Sequence, residues 1–326
     1  MKTVAVVSDI EETPIVVKAG PYPHLVAQQN IQTRFKMHLS NVNNSEANAI
    51  RRTLACELPV HALTFEYEDM ETDDPFLSIR EMIQKRMRMI PLNQKAPNGT
   101  YTLSCSNNTL LPMDVKTVLI DKNGKQCPYV NSNITLLTLQ PGKYVKIKNI
   151  HHTTAYGYIE GSGMHTLTWQ CTSIATDIEP LNIYENTGKS AHESSPREWD
   201  IQFGTNGTLP GRLCVQLACQ ELIRRLDNVA TLMSKIRSDE NRYTLDIPNE
   251  SDTIGNLIVQ AATEMFPQLQ SAVYSVPTTD RICTLRIAYD EDINTFFNAI
   301  IEREQALFRA IAAKMDLGSA SSASTS

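Results

Sequence analysis

A chain of 326 residues, 41% hydrophobic and 20% charged, has the composition of a soluble globular protein with room for two or three domains and a sizeable core. Its net charge of −6 argues against a protein that grips nucleic acid unaided, because such proteins carry a basic surplus. No apolar run approaches the roughly 20 residues that cross a bilayer, and the start lacks a basic flank followed by an apolar core, so neither anchor nor signal peptide is expected. Seven cysteines without close pairs suggest a reducing, intracellular compartment rather than a disulfide framework.

In chain order, residues 1–30 mix a Val-rich start with Pro14, Pro21 and Pro23 and read as an extension or a short edge strand. Residues 31–39 alternate like a strand. Asn43 and Glu46 then form the signature of a capping box, so a helix is expected to start there. Ala47, Ile50, Leu54 and Leu58 make its apolar stripe, Asn48, Arg51, Arg52 and Glu57 lie off it, and Pro59 ends it. Residues 60–67 read as a second strand. A further helix is expected from Asp73 or Asp74 to Pro91, with Phe76, Ile79, Ile83, Met87 and Ile90 on one face and Arg80, Lys85, Arg86 and Arg88 on the other.

From residue 94 to about 195 the texture changes to short alternating segments between turn signals, with strands expected at 115–120, 134–139 and 144–150. This β-rich stretch interrupts a domain rather than following one. His151, His152, His165 and Cys171 match no standard metal spacing, and the glycines at 157–163 lack the setting of a phosphate loop, so both read as loop residues. Residues 180–197 lead back through a strand at 198–205 to a helix starting at Gly207 and Pro210. Its stripe of Val215, Cys219, Leu222, Leu226, Val229, Met233 and Ile236 runs for about six turns. A strand at Tyr243, Leu245 and Ile247, a helix over 252–266, a hairpin over 269–276 and 281–289, and a last long helix over 293–315 follow. That helix carries Phe297, Ile300, Leu307, Phe308 and Ile311. The serine-rich end from Leu317 is expected to be disordered.

Shifting residues 39–59 by 208 positions lays them on 247–267 without a gap, matching Asn41 with Asn249, Asn48 with Asn256, Ile50 with Ile258 and Pro59 with Pro267. A half that cannot cover its own apolar face can bury it against a copy of itself, so the repeat points to two pseudo-symmetric halves. Leu39-Ser40-Asn41, Asn48-Ala49-Ile50-Arg51-Arg52 and residues 82–92 together resemble the alpha-type subunit of multisubunit RNA polymerases, that is bacterial alpha, archaeal D and the third eukaryotic subunit. Residues 252–258 resemble the helix of the smaller partner, archaeal L or the eleventh eukaryotic subunit. Both resemblances in one chain are similar to the fused subunit of large DNA viruses, and they cover about residues 31–316.

The resemblance implies an α+β fold of two αβ dimerisation halves with long packed helices and a β-rich inserted domain. The expected divisions are an N-terminal extension over 1–30, an alpha-like domain over 31–93 and 196–240, the insertion over 94–195, an L-like domain over 241–316 and a tail over 317–326. The internal dimer interface is expected on Ile50, Leu54, Leu222, Leu226, Val229, Met233, Ile258, Phe297, Ile300, Leu307 and Ile311. The zinc site that the eukaryotic third subunit carries is not expected, since the region offers only the distant Cys105, Cys127 and Cys171. No metal or cofactor is therefore expected.

No nucleophile motif, paired metal ligands, phosphate loop or clustered magnesium-binding carboxylates occur, so catalysis by the chain alone is not expected. The resemblance implies an assembly platform for the two largest polymerase subunits, docked through Asn48, Arg51, Arg52, Arg86 and Arg88. It also implies small zinc-containing subunits as neighbours, DNA and RNA met only through the complex, and a nuclear, cytoplasmic or virion location. The competing readings are a stand-alone structural protein with the same fold and, far behind, a hydrolase built on the histidines.

Overall fold

The computed structural model describes residues 6–14, 33–90, 92, 96–130, 133–156, 171–177, 197–205, 209–277 and 281–316. The glycine loop at 157–163, His165, most of the loop at 180–197, Gly207, Pro91 and the serine-rich end lie outside the described residues, as does most of the N-terminal extension.

The fold is α+β. Strands β1 (Val6–Pro14) and β2 (Thr33–Ser40) lead into helix α1 (Asn44–Arg52), which continues through a π-helical turn at Thr53–Glu57. The capping box forms: Asn43 Oδ1 accepts from the Glu46 amide at 2.9 Å and Glu46 Oε2 from the Asn43 amide at 2.7 Å. Ala47, Ile50, Leu54 and Leu58 are buried as the stripe requires. Glu57, expected off the stripe, is buried as well, because the π turn rotates it inward against charged partners described below.

Strands β3 (Pro59–Thr64) and β4 (Met70–Thr72) follow, then helix α2 (Arg80–Arg88). Here the expectation of one helix from Asp73 or Asp74 fails. Asp74 instead caps a 3-10 turn at Pro75–Leu77, whose three residues per turn put Leu77 inward and leave Phe76 and Ile79 at 77% and 58% exposure. Ile83, Met87 and Ile90 are buried as expected.

The β-rich stretch comprises β5 (Tyr101–Ser106), β6 (Met113–Lys116), β7 (Ile120–Asp121), β8 (Thr135–Leu139) and β9 (Tyr144–Tyr156). The single strand expected at 115–120 is two, since the chain leaves β6 after Lys116 to pair β7 with a different neighbour. The chain returns through β10 (Cys171–Asp177) and β11 (Glu198–Thr205) to the long helix α3 (Gly211–Leu232). Then come β12 (Arg237–Asp239), β13 (Arg242–Pro248), α4 (Asp252–Met265), β14 (Ser271–Ser275), β15 (Ile282–Ala288) and α5 (Ile293–Asp316).

Two four-stranded antiparallel sheets have orders β1-β2-β11-β10 and β12-β13-β15-β14. In each, a strand pair leads to a short helix, then a second strand pair, then a long helix. In the first, the β-rich stretch is inserted after the short helix. Asn41 and Asn249, 208 positions apart, both take the left-handed conformation, with φ of 62° and 58°. Asparagine tolerates that region because its short side chain bonds locally. The helix caps Asn43 and Ser251 have the same offset.

One buried cluster joins both of these sheets with α1, α3, α4 and α5. A second gathers Leu63, Phe65, Met70, Leu77, the buried face of α2 and the strands β5 to β9. The buried side chains of residues 63–90, expected with the first half, thus belong with the insertion. Strand β9 is long enough to pair with β3, β4 and β5 in turn, and this draws the segment across. None of the described helices is long and apolar enough to cross a membrane.

Candidate functional site

The residues expected at an internal interface converge on the larger cluster. Ile50, Leu54, Leu222, Leu226, Val229, Ile258, Phe297, Ile300 and Ile311 are buried within it, while Met233 and Leu307 are half-buried against it. Helices α3 and α5 pack antiparallel: Gln216 Nε2 donates to Asp316 Oδ1 at one end and Gln305 Nε2 to Asp227 Oδ1 further along, at 2.7 and 2.6 Å.

Across the apolar seam run two charged clusters that the sequence reading missed. In the first, Glu57 is 2% exposed and takes Arg225 of α3 on one oxygen. Its other oxygen accepts from the hydroxyls of Ser251 and Thr253, at 2.9 and 2.8 Å. Arg225 also holds Glu250, with Nη2 to Oε2 at 2.5 Å and Nε to Oε1 at 3.0 Å. Burial alone would raise the pKa of Glu57, but the charge and hydrogen bond of Arg225, with those of Thr253 and Ser251, outweigh it and hold the carboxyl below its usual range. For Arg225 burial disfavours the cation, and Glu250 and Glu57 reverse that and keep it firmly charged.

In the second cluster Glu264, near the end of α4, accepts from Arg303 of α5 at 2.8 Å and from the side-chain amide of Asn43 at 3.2 Å. Arg303 Nη2 also donates to Glu46 at 3.0 Å. Burial is again opposed, chiefly by Arg303, so the pKa of Glu264 is lowered. Glu46 goes the other way, with burial outweighing the Asn43 amide and Arg303. Glu304 is fully buried, its nearest cation Arg303 Nε lies 3.7 Å away, and neither of its oxygens has a hydrogen-bond partner. Burial and the neighbouring Glu46 push its pKa well up.

The clusters mirror each other. The acid ending α1 reaches the cap of α4, the acid ending α4 reaches the cap of α1, and each is clamped by an arginine from the long helix that follows its own sheet. Contacts of the type i to j and j to i are those of a two-fold interface. Glu57 lies one residue further from its cap than Glu264 does, which is the extra residue that the π turn takes up. A signal for these residues existed. Arg225 falls three after Leu222 and four before Val229, and Glu304 falls midway between Ile300 and Phe308, so both charges interrupt an apolar stripe.

The expected docking residues divide. On α1, Arg51 is half-buried and held by Asn48 Oδ1, which accepts from Nε and Nη2 at 3.0 and 2.7 Å. Arg52, expected beside it, is engaged within the molecule instead. Its Nε donates to Thr253 Oγ1 at 2.8 Å and its Nη2 lies 3.6 Å from Glu57. Arg86 and Arg88 are on α2, against the other core, with Arg86 exposed and reaching the Leu136 carbonyl at 3.4 Å. Of the histidines, the rings of His61 and His152 lie with centroids 4.8 Å apart, tilted at 56°, and no group of three metal-ligating side chains occurs among the described residues.

No family model matches the chain. It is similar to the "DNA-directed RNA polymerase RPB3-11 homolog" of African swine fever virus, at 21% identity over 315 residues in both the Pig/Kenya and Tick/Malawi isolates. The similarity covers 86% of this chain and 87% of each relative.

Proposed function

We propose that the chain is a non-catalytic assembly subunit of a DNA-directed RNA polymerase, an alpha-type half fused to an L-type half. What carries the proposal is the reach of the similarity to viral polymerase subunits, which covers 86% of this chain, more than either expected half contains. The reciprocal charged clusters support the fusion, because they couple the halves as a two-fold interface couples subunits. On this reading the alpha-like domain and its β-rich insertion precede an L-like domain over 241–316, and a cytoplasmic or virion location follows if the polymerase is viral, as in those relatives.

The mechanism is geometric. The α3–α5 pair and the charged clusters fix the angle between two outer surfaces, and each surface receives one of the two largest subunits. DNA and RNA are met only through the complex, and small zinc-containing subunits complete the neighbourhood. The docking edge on α1 is Asn48 and Arg51, with Arg86 and Arg88 as a second contact. The guanidinium of Arg51 is oriented by Asn48, and such a planar donor fork binds a carboxylate or carbonyl in a way that lysine cannot reproduce.

Affinity purification with mass spectrometry tests the reading: one copy of this chain should appear beside two very large chains. Arg51→Ala should leave the melting temperature within the range of an ordinary surface change, about 0.5 kcal/mol, while those large chains are depleted. Arg52→Ala should instead lower stability by about 1–2 kcal/mol, since it removes a charged donor from the internal seam. Purification of the chain alone, or with unrelated partners, would favour a stand-alone structural protein.

A further inference from the structure

Helix α2 is apolar on two faces. Inward, Ile83 and Met87 are buried, and Gln84 Nε2 donates to the Phe65 carbonyl at 2.7 Å. Arg80 Nη1 donates to the Tyr67 carbonyl at 2.7 Å, so the helix is pinned at its start and at its middle. Outward, Ile79, Met82, Arg86 and Met89 recur at three- and four-residue spacing and therefore share one side. Ile79, Met82 and Met89 are 58%, 51% and 37% exposed, and Phe76, in the 3-10 turn just ahead, is 77% exposed. Single exposed apolar side chains are ordinary, but a run of them along one pinned helix and its lead-in turn is a surface that a partner covers.

The charge along this segment is lopsided. Residues 75–90 hold Arg80, Lys85, Arg86 and Arg88 against Glu81 alone, on a chain whose net charge is −6. Lys85 is neutralised by Glu81 at 2.6 Å, and Arg80 lies against Tyr67, which Glu66 and Glu68 flank in the chain. About two turns further on the balance is lost. Arg86 is exposed, with only a contact of 3.4 Å to the Leu136 carbonyl, and Arg88 pairs with no acid among the described residues. The outward apolar stripe thus ends beside two cations without counter-charge.

We infer that this face receives an amphipathic helix of a neighbouring subunit, apolar along one side and acidic where it passes Arg86 and Arg88. The flank of a helix offers no free backbone donors or acceptors, so an extended segment laid on the stripe would leave its own backbone groups unpaired, whereas a helix satisfies its own. Apolar residues at three- and four-residue spacing on such a helix mesh with the same spacing on α2. The uncompensated cations select an acidic flank. A second copy of this chain would bring one basic helix against another, which like charge opposes. A nucleic acid would meet the cations but leave Ile79, Met82 and Met89 without a base to stack on, since only Phe76 is aromatic. The inference rests on the polymerase reading for the source of the helix.

Photo-crosslinking from the full chain in its purified complex tests it. With Met82→p-benzoylphenylalanine, irradiation should join this chain to one peptide of a copurifying subunit, and that peptide should carry apolar residues at three- and four-residue spacing and an excess of Asp and Glu. Ile79→Glu with Met82→Glu, both at exposed positions, should leave the melting temperature of the isolated chain unchanged and lower recovery of the crosslinked subunit by about tenfold. Arg86→Glu with Arg88→Glu should deplete the same subunit. If the large chains copurify and no adduct forms, or the adduct is to a peptide without an acidic excess, to nucleic acid, or to this chain itself, the inference is overturned while the polymerase reading stands. If no polymerase chain copurifies, both fall.

Discussion

Arg225 and Glu304 sit at equivalent depths and have opposite consequences. Arg225 is a buried cation with two carboxylates upon it, and its removal strands Glu57 and Glu250 as uncompensated buried charges. Arg225→Ala should therefore cost about 3–5 kcal/mol in denaturant unfolding, the range for breaking a buried pair from one side. A loss below about 1 kcal/mol would mean that water reaches the carboxylates, contrary to their burial. Glu304 is an acid whose folded pKa is raised, so its favourable contribution is complete below the unfolded value and is lost as pH rises through the folded one. Glu304→Gln should flatten the fall in melting temperature between acid and mildly alkaline buffers, whereas the wild type keeps it. Glu57 and Glu264 have lowered values, and their contribution is lost only as the pH falls through the folded pKa. A Glu304→Gln variant whose pH profile overlays that of the wild type would show that this carboxyl is not protonated in the fold.

At the scale of elements, the short helices lie so close to their sheets that single atoms decide the fit. Gly255 on α4 has no room for a methyl group: a Cβ there would come within 2.7 Å of Cys283 Sγ and of the Tyr274 ring. Gly255→Ala should raise intrinsic helix propensity and yet destabilise by about 1–3 kcal/mol through overpacking, because the strand pair β14–β15 must move back. Unchanged or higher stability would show that the hairpin yields freely. The long helix α3 shows a different economy. Pro210 offers no capping side chain, and Glu12 of the N-terminal strand accepts from the Gly211 amide at 2.7 Å instead. The extension thereby terminates a helix some two hundred residues later in the chain.

Helices α3 and α5 pack against each other within one chain, and that makes the association state predictable. Since α3 and α5 cover each other within one chain, the isolated protein should sediment as a monomer, and an obligate homodimer held through these helices would refute the internal pairing. Truncation after Lys235 removes α4, α5 and the second sheet and uncovers the apolar faces of α1 and α3. Such a fragment should aggregate, because soluble monomers rarely tolerate an exposed apolar patch beyond a few hundred square ångströms. A soluble, folded fragment would mean that the halves are independent domains.

Much of this architecture was written locally. The capping box at Asn43 and Glu46, the stripes on α1, α3 and α5 and strand β11 all depend on residues within a few turns of one another, and periodicity reports such relations directly. What tertiary structure alone decided were the relations between distant segments. Residues 63–90 joined the inserted core because β9 reaches across to β3 and β4, which no local pattern encodes. Arg51 and Arg52 are adjacent residues of one type, yet only Arg52 meets Thr253 and Glu57, since the step of about 100° between helix neighbours turns Arg52 toward the second half. The pairing of Glu57 with Arg225 and of Glu264 with Arg303 likewise waited on the antiparallel packing of helices from the two halves. A buried charge is stable only where its partner arrives, and the partner's arrival is a property of the fold.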